Sequence, residues 1–217
     1  MTGMAIFDLD GVVRIWDPEI ISGAERRAGL PVGSLGAVAF EPALLARVVT
    51  GVITDEAWRA EIAATLEARF GAAARTAVAQ WSEPVGAVDP DVLAMVREVR
   101  VTRPVALLTN ATSRLWSDLA ALGLLTEFDH VLNSSELGLA KPDPRVFVQV
   151  CRQVGAEVSA CWFVDDSARN VRAAADAGLR AHHFVGAAAL HAWFDAQLPD
   201  WRVGTSACEV SSSCPRA

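Results

Sequence analysis

The stretch Met4-Ala5-Ile6-Phe7-Asp8-Leu9-Asp10-Gly11-Val12 joins an uninterrupted apolar run to two carboxylates and a glycine. A short apolar run without polar alternation reads as a strand buried on both faces, and such strands belong to parallel sheets with helices on either side. The pattern returns at residues 104–108, 130–132, 161–164 and 180–184. Helical segments are expected between these runs, at 90–100, 113–122, 144–154, 168–177 and 187–197. Gly123, Gly155 and Gly178 each stand just past one of them, where a left-handed C-cap is wanted. Strand and helix in alternation predict an α/β fold, a doubly wound parallel Rossmann-like sheet.

One region breaks the alternation. Between the first strand and Pro104 the pattern is helical, with no convincing strand. In residues 54–70, Thr54 is placed as an N-cap, and Asp55 and Glu56 suit the positive helix start. Trp58, Ile62, Leu66 and Phe70 recur every four residues as one apolar stripe. Residues 18–28 and 42–49 also read as helices, and 90–100 returns to the core. The expected division is a core of 1–14 and 86–203, a small all-helical insert of 15–85 after the first strand, and a Ser-rich flexible tail of 204–217.

The chain has 217 residues, with 19 Lys+Arg against 26 Asp+Glu and a net charge of −7; 52% are hydrophobic and 21% charged. This is a globular composition that excludes disorder for most of the chain. The acidic balance argues against nucleic acid or an anionic membrane as partner, while a locally positive site could still take a small anion. No apolar run reaches the ~18 residues that span a bilayer. The N-terminus lacks a basic segment and meets Asp8 too early for a signal peptide, so a cytoplasmic location is expected. Cys151 and Cys161 lie in apolar segments and read as buried thiols, while Cys208 and Cys214 fall in the tail without zinc-ligand spacing.

Polar residues fall at four informative places: Asp8-Leu9-Asp10-Gly11, Leu108-Thr109-Asn110-Ala111-Thr112, Ala140-Lys141-Pro142-Asp143 and Val164-Asp165-Asp166-Ser167. In an open parallel sheet the carboxyl ends of the strands line the ligand crevice, so residues distant in sequence can converge there. Each cluster alone has a plain structural reading: solvated acids at a turn, an N-cap at Thr109, Thr112 or Ser113, a surface lysine before a helix opening at Pro144, and a cap at Asp166 or Ser167. Four caps have no reason to occur in this order with these residue types.

The combination resembles the haloacid dehalogenase-like (HAD) hydrolase superfamily, subfamily I. Its four motifs match Asp8–Asp10, Thr109, Lys141 and Asp165–Asp166, and the insert sits where that family carries a small C1 cap. The resemblance implies that Asp8 is a nucleophile forming an aspartyl-phosphate, and that Asp10 is the general acid and base. It implies that Thr109, Asn110 and Lys141 hold the phosphoryl group. It also implies that Mg²⁺ is held by Asp8, the Asp10 carbonyl, and Asp165 with or without Asp166.

The acid at position 10 favours a phosphatase over the dehalogenase branch, which attacks carbon and needs no acid there. The mutase branch keeps both acids but carries a basic residue before a Gly in the loop between cap helices, where this chain has Thr50 before Gly51. The short insert looks most like that of small sugar-phosphate phosphatases. The expected substrate is a small phosphomonoester, with Arg14, Trp16, Arg47, Thr50 and Gly51 as candidates to line the lid side. Trp58 reads as packing within the insert. Arg14 reads either as a contact to a second anionic group or as a solvated surface residue. The expected assembly is a monomer or homodimer. A catalytically silent fold used for binding is the alternative of another class.

Overall fold

The computed structural model of the chain describes residues 3–198 and Trp201. In chain order, the elements are β1 (Ala5–Phe7), β2 (Arg14–Ile15), α1 (Glu19–Arg27), α2 (Ser34–Ala39), α3 (Pro42–Val49), α4 (Asp55–Phe70), α5 (Ala73–Ser82) and β3 (Ala87–Val88). They continue with α6 (Pro90–Thr102), β4 (Val105–Thr109), α7 (Leu115–Ala121), β5 (His130–Asn133), α8 (Ser134–Leu137), α9 (Pro144–Gln153), β6 (Trp162–Asp165), α10 (Ala168–Asp176), β7 (Arg180–His183) and α11 (Ala187–Gln197). Residues 204–217, expected as a flexible tail, lie outside the described residues, as do Cys208 and Cys214.

The main sheet has five strands in the order β5-β4-β1-β6-β7, each pair parallel. Successive strand residues point to opposite faces. Ala5, Phe7, Val105, Leu107, Trp162 and Val164 face one apolar cluster, to which Val96, Leu119 and Phe194 bring α6, α7 and α11. Met4, Ile6, Ala106, Leu108, Cys161 and Phe163 face the other, filled by Val146 and Val150 of α9 and Ala174 of α10. Two apolar faces per strand explain the runs without alternation. The chain builds outward from β1 through β4 to β5, then returns to β6 on the far side of β1. The reversal beside β1 leaves a crevice at the strands' carboxyl ends.

Helices α1 to α5 enclose an apolar cluster of their own, including Leu35, Trp58, Ile62, Leu66 and Val78. Thr54 caps α4 as its sequence predicts, its hydroxyl accepting from Ala57 N at 3.2 Å. The sequence pattern had not shown the two-residue strands β2 and β3, which pair antiparallel where this helical segment leaves and rejoins the sheet. Strands that short carry no readable period. Cys151 and Cys161 are buried free thiols, and Gly123, Gly155 and Gly178 take left-handed φ values of 70°, 69° and 101°. Among the described residues, no helix is long and apolar enough to cross a membrane.

Candidate active site

The chain after β1 turns so tightly that Leu9 O accepts from both Val13 N and Arg14 N, at 2.9 and 2.7 Å. Gly11 closes this turn at φ 78°, and a Cβ there would collide with the Asp166 carboxylate. Glycine is therefore required twice over, by conformation and by the approach of Asp166. Asp8 N is tied across to Val164 O at 2.8 Å, which fixes the first carboxylate beside the end of β6.

Lys141 joins these strand ends. Its ammonium lies 2.7 Å from Asp8 Oδ1, 2.7 Å from Asp165 Oδ2 and 2.9 Å from Leu108 O. It is 4% exposed, so the surface-lysine reading is excluded. Nor does it follow a strand at once: α8 and a loop separate it from β5, and the loop brings it back. Asn110 holds that loop, its Oδ1 accepting from Lys141 N at 2.8 Å and its Nδ2 donating to Lys141 O at 2.7 Å. The Asn110 side chain is thus spent on positioning Lys141, where the sequence reading had it among the phosphate contacts.

Asp165 is fully buried and held by Ser167 N at 2.8 Å and by Asn170 Nδ2 at 3.0 and 3.1 Å. Asn170 was missed in the sequence, although its place three residues past the cap Ser167 is a readable signal. Asp8, Asp165 and Asp166 each offer an oxygen within 4.8 Å of the others. Burial pushes the Asp8 carboxyl up to about 7, with Lys141 pulling against the rise and Asp165 adding to it. Burial, then Asp165, raises Asp166 as well. Burial disfavours the Lys141 ammonium, but Asp8 and Asp165 outweigh it and leave that group above its ordinary range. Three carboxylates thus share one ammonium. An excess of hard, all-oxygen anionic donors fits a divalent cation such as Mg²⁺. Thr109, 1% exposed, has a buried Oγ1 without a hydrogen-bond partner at the end of β4.

Asp10 sits apart from this group. Its Oδ1 accepts from Arg14 Nε at 2.7 Å and Trp16 Nε1 at 2.6 Å, and its Oδ2 from Arg14 Nη2 at 2.9 Å. Arg14 is buried and also donates to Asp118 at 3.0 Å. It is therefore not a solvated surface residue: it lines the cavity that opens beside Asp10, as its place among the lid-side candidates anticipates, with each guanidinium nitrogen engaged on Asp10 or Asp118. Asp118 takes a second bond, from Arg114 Nε at 2.7 Å, and Arg114 continues to the carbonyls of Ser82 and Pro84. The Arg114–Asp118 spacing is an ordinary i,i+4 pair, so nothing local marked it. Only the fold brings Arg14 to it.

A cavity of about 410 Å³ opens beside Asp10, Asn110 and Thr112 and runs between the helical segment and the sheet. Trp16 lines it, as expected. Trp58 also reaches its wall, while it packs within the helical segment as predicted. Arg47 does not line it: it pairs with Glu61 on the surface at 3.0 Å. Thr50 and Gly51 do not line it either. The Thr50 hydroxyl bonds Ala46 O at 2.6 Å, and Gly51 packs so closely on Ser135 that a Cβ would strike its carbonyl.

An open parallel sheet with a buried carboxylate after its central strand, a lysine bridging two strand ends and a further acid pair defines a class of hydrolase. The chain belongs to the haloacid dehalogenase-like hydrolase family, whose model matches residues 4–178. It is 37% identical over 109 residues to a phosphoserine phosphatase of Thermus thermophilus, covering 46% of this chain and 40% of that protein. Its matches to curated relatives span a quarter to two-fifths of their length. Among solved structures it is similar to a HAD family enzyme of Bacteroides thetaiotaomicron in complex with magnesium and inorganic phosphate. The TM-score is 0.69 at 20% identity, covering 84% of this chain and 93% of that one. It is also similar to a 2-haloacid dehalogenase of Pseudomonas syringae, with a TM-score of 0.60 at 23% identity over 83% of this chain and 85% of that one. At these identities the likeness is one of fold.

Proposed function

We propose that the protein is a Mg²⁺-dependent phosphatase that hydrolyses a small phosphomonoester through an aspartyl-phosphate. The observation that carries this reading is the convergence of Asp8, Lys141 and Asp165 on one buried point, with Asp10 two residues beyond the nucleophile. The names of the phosphatases it resembles support it, and the dehalogenase likeness does not compete, because that chemistry has no use for the acid at position 10.

Asp8 attacks phosphorus; the new Asp8–phosphorus bond forms as the bond to the alcohol oxygen breaks. Asp10 donates its proton to that oxygen, then takes one from the water that attacks the acyl phosphate and releases inorganic phosphate. Asp10 Oδ2 accepts a single bond from Arg14, which leaves it a lone pair for the proton. Lys141 supplies fixed positive charge, and the orphaned Thr109 hydroxyl gains an acceptor in a phosphoryl oxygen. Mg²⁺, held by Asp8, Asp165 and Asp166, would offset the excess carboxylate charge and favour the ionised nucleophile. Residues 15–85 act as a cap over the crevice, and sugar phosphates, the class that the family resemblance suggests, form one arm of the substrate test.

The test is hydrolysis of p-nitrophenyl phosphate and a phosphomonoester panel with and without Mg²⁺. Activity should vanish with a chelator and return with Mg²⁺. Full turnover in excess EDTA, or no turnover by folded protein on any ester, contradicts the proposal.

A further inference from the structure

The cavity beside Asp10 lies on the side where the leaving alcohol must sit, because Asp10 is the group that would protonate it. Its walls carry Trp16, Ile21, Phe40, Leu45, Trp58 and Trp81. The polar groups on the same walls are almost entirely engaged with one another. Arg14 spends Nε and Nη2 on Asp10 and Nη1 on Asp118. Arg114 spends all three nitrogens on Asp118 and the carbonyls of Ser82 and Pro84. Arg59 gives Nε and Nη2 to Asp55 at 2.5 and 3.3 Å. Its Nη1 is buried without a hydrogen-bond partner, and the guanidinium lies 5.0 Å from the Trp81 ring centre and 5.7 Å from that of Trp58. Asp55 also accepts the Thr112 hydroxyl at 2.8 Å, the Asn110 amide is fixed on Lys141, and the indole N–H groups of Trp16 and Trp58 bond Asp10 and Ala39 O.

A ligand entering this cavity therefore meets aromatic and aliphatic surface and no cation free of a carboxylate or carbonyl. Beyond the single orphaned donor at Arg59 Nη1, the several hydroxyls of a sugar would lose more water than they gain in partners, and a second anionic group would face arginines already paired with carboxylates. Flat apolar groups gain both the hydrophobic term and aromatic contact. Resting on the phosphatase reading, we propose that the substrates are monophosphate esters of apolar, ring-sized alcohols, and that the cavity discriminates against polyhydroxylated and anionic leaving groups.

The test compares 2-phenylethyl phosphate, glucose 6-phosphate and phosphoglycolate. All three release an oxygen from a CH₂ group, so differences in kcat/KM report chiefly on the pocket. The phenylethyl ester should lead both others by about 10-fold or more, the discrimination that a few apolar contacts supply. Phe40 is 48% exposed, so Phe40→Ser removes wall surface without opening the core, and this lead should shrink. A preference for glucose 6-phosphate overturns the proposal. So does a preference for phosphoglycolate, and its disappearance in Arg59→Gln would assign the cavity to an anion. Binding is read separately from turnover: 2-phenylethanol should quench tryptophan fluorescence saturably, more weakly in Phe40→Ser, whereas glycerol should not. Failure to hydrolyse any ester with saturable 2-phenylethanol binding defeats the phosphatase reading alone. Hydrolysis without that binding defeats the pocket assignment.

Discussion

Two clusters of acids and bases meet at the carboxyl edge of the sheet, and their charge bookkeeping differs. In the first, Asp8, Asp165 and Asp166 share the single ammonium of Lys141. In the second, Asp10 and Asp118 alternate with Arg14 and Arg114, two charges of each sign. The balanced cluster satisfies itself: every guanidinium nitrogen has an acceptor within the protein. The unbalanced one raises the protonation range of two of its carboxyls through burial and mutual repulsion, a state that a cation or a phosphoryl group would relieve. Excess charge of one sign marks where ligands act, while balance marks a frame that aims one residue.

The largest effect should come from the proposed nucleophile. Asp8→Asn keeps the side chain's shape but removes the attacking charge, so turnover should fall by about 10⁴-fold or more. Stability should hold or rise in thermal melts, because one desolvated acid leaves an overcrowded group. Near-normal turnover would show that the unbalanced cluster is not the reactive one. Asp10→Asn comes next. It should cost about 10²- to 10⁴-fold on an alkyl ester, whose oxygen needs a proton, and less on p-nitrophenyl phosphate, whose phenolate leaves unaided. The mutant should give a burst of p-nitrophenol and then stall, since the proposed mechanism gives Asp10 the water step as well. Equal losses on both esters without a burst would remove the acid role.

How far the sequence disclosed these two clusters follows from what makes each visible. Asp8, Asp165 and Thr109 end apolar strands, so a polar residue after an apolar run announces them, and the parallel sheet brings those ends together. Lys141 was recognised by its motif rather than by its neighbourhood, since its contacts come through a loop that returns to β1 and β6. The balanced cluster was nearly invisible. Arg14 and Asp118 are 104 residues apart, and either alone looks like an ordinary surface charge. The same reason misplaced Arg47, Thr50 and Gly51: which residues of a helical hairpin reach a cavity depends on how the helices pack on the sheet. Periodicity reports a helix's buried stripe and says nothing of the partner across it.

Two substitutions separate the clusters by their response to metal rather than by activity. Lys141→Met leaves Asp8 and Asp165 buried without their cation, and uncompensated buried charge should cost about 3–5 kcal/mol of stability in urea titrations with EDTA. Mg²⁺ should recover part of that loss by binding only the folded state. A Lys141→Met protein as stable as the wild type in EDTA would mean that the carboxylates are already protonated without the lysine.

The smallest effect belongs to the balanced frame. Asp118→Asn leaves Arg14 its bonds to Asp10 and leaves Arg114 its carbonyls, so each guanidinium keeps acceptors although the cluster then carries one excess positive charge. It replaces one acceptor of Asp118 by an N–H facing an arginine N–H, which should cost about 1–3 kcal/mol. Because no metal donor is touched, Mg²⁺ should shift the midpoint of Asp118→Asn by as much as it shifts wild type, in contrast to Lys141→Met. Arg14, released on one side, should wander, and Asp10 with it, so turnover should fall on alkyl esters more than on p-nitrophenyl phosphate. A midpoint shift with Mg²⁺ as large as that of Lys141→Met would show that the two clusters are one electrostatic unit, and that the balance drawn between them has no mechanical meaning.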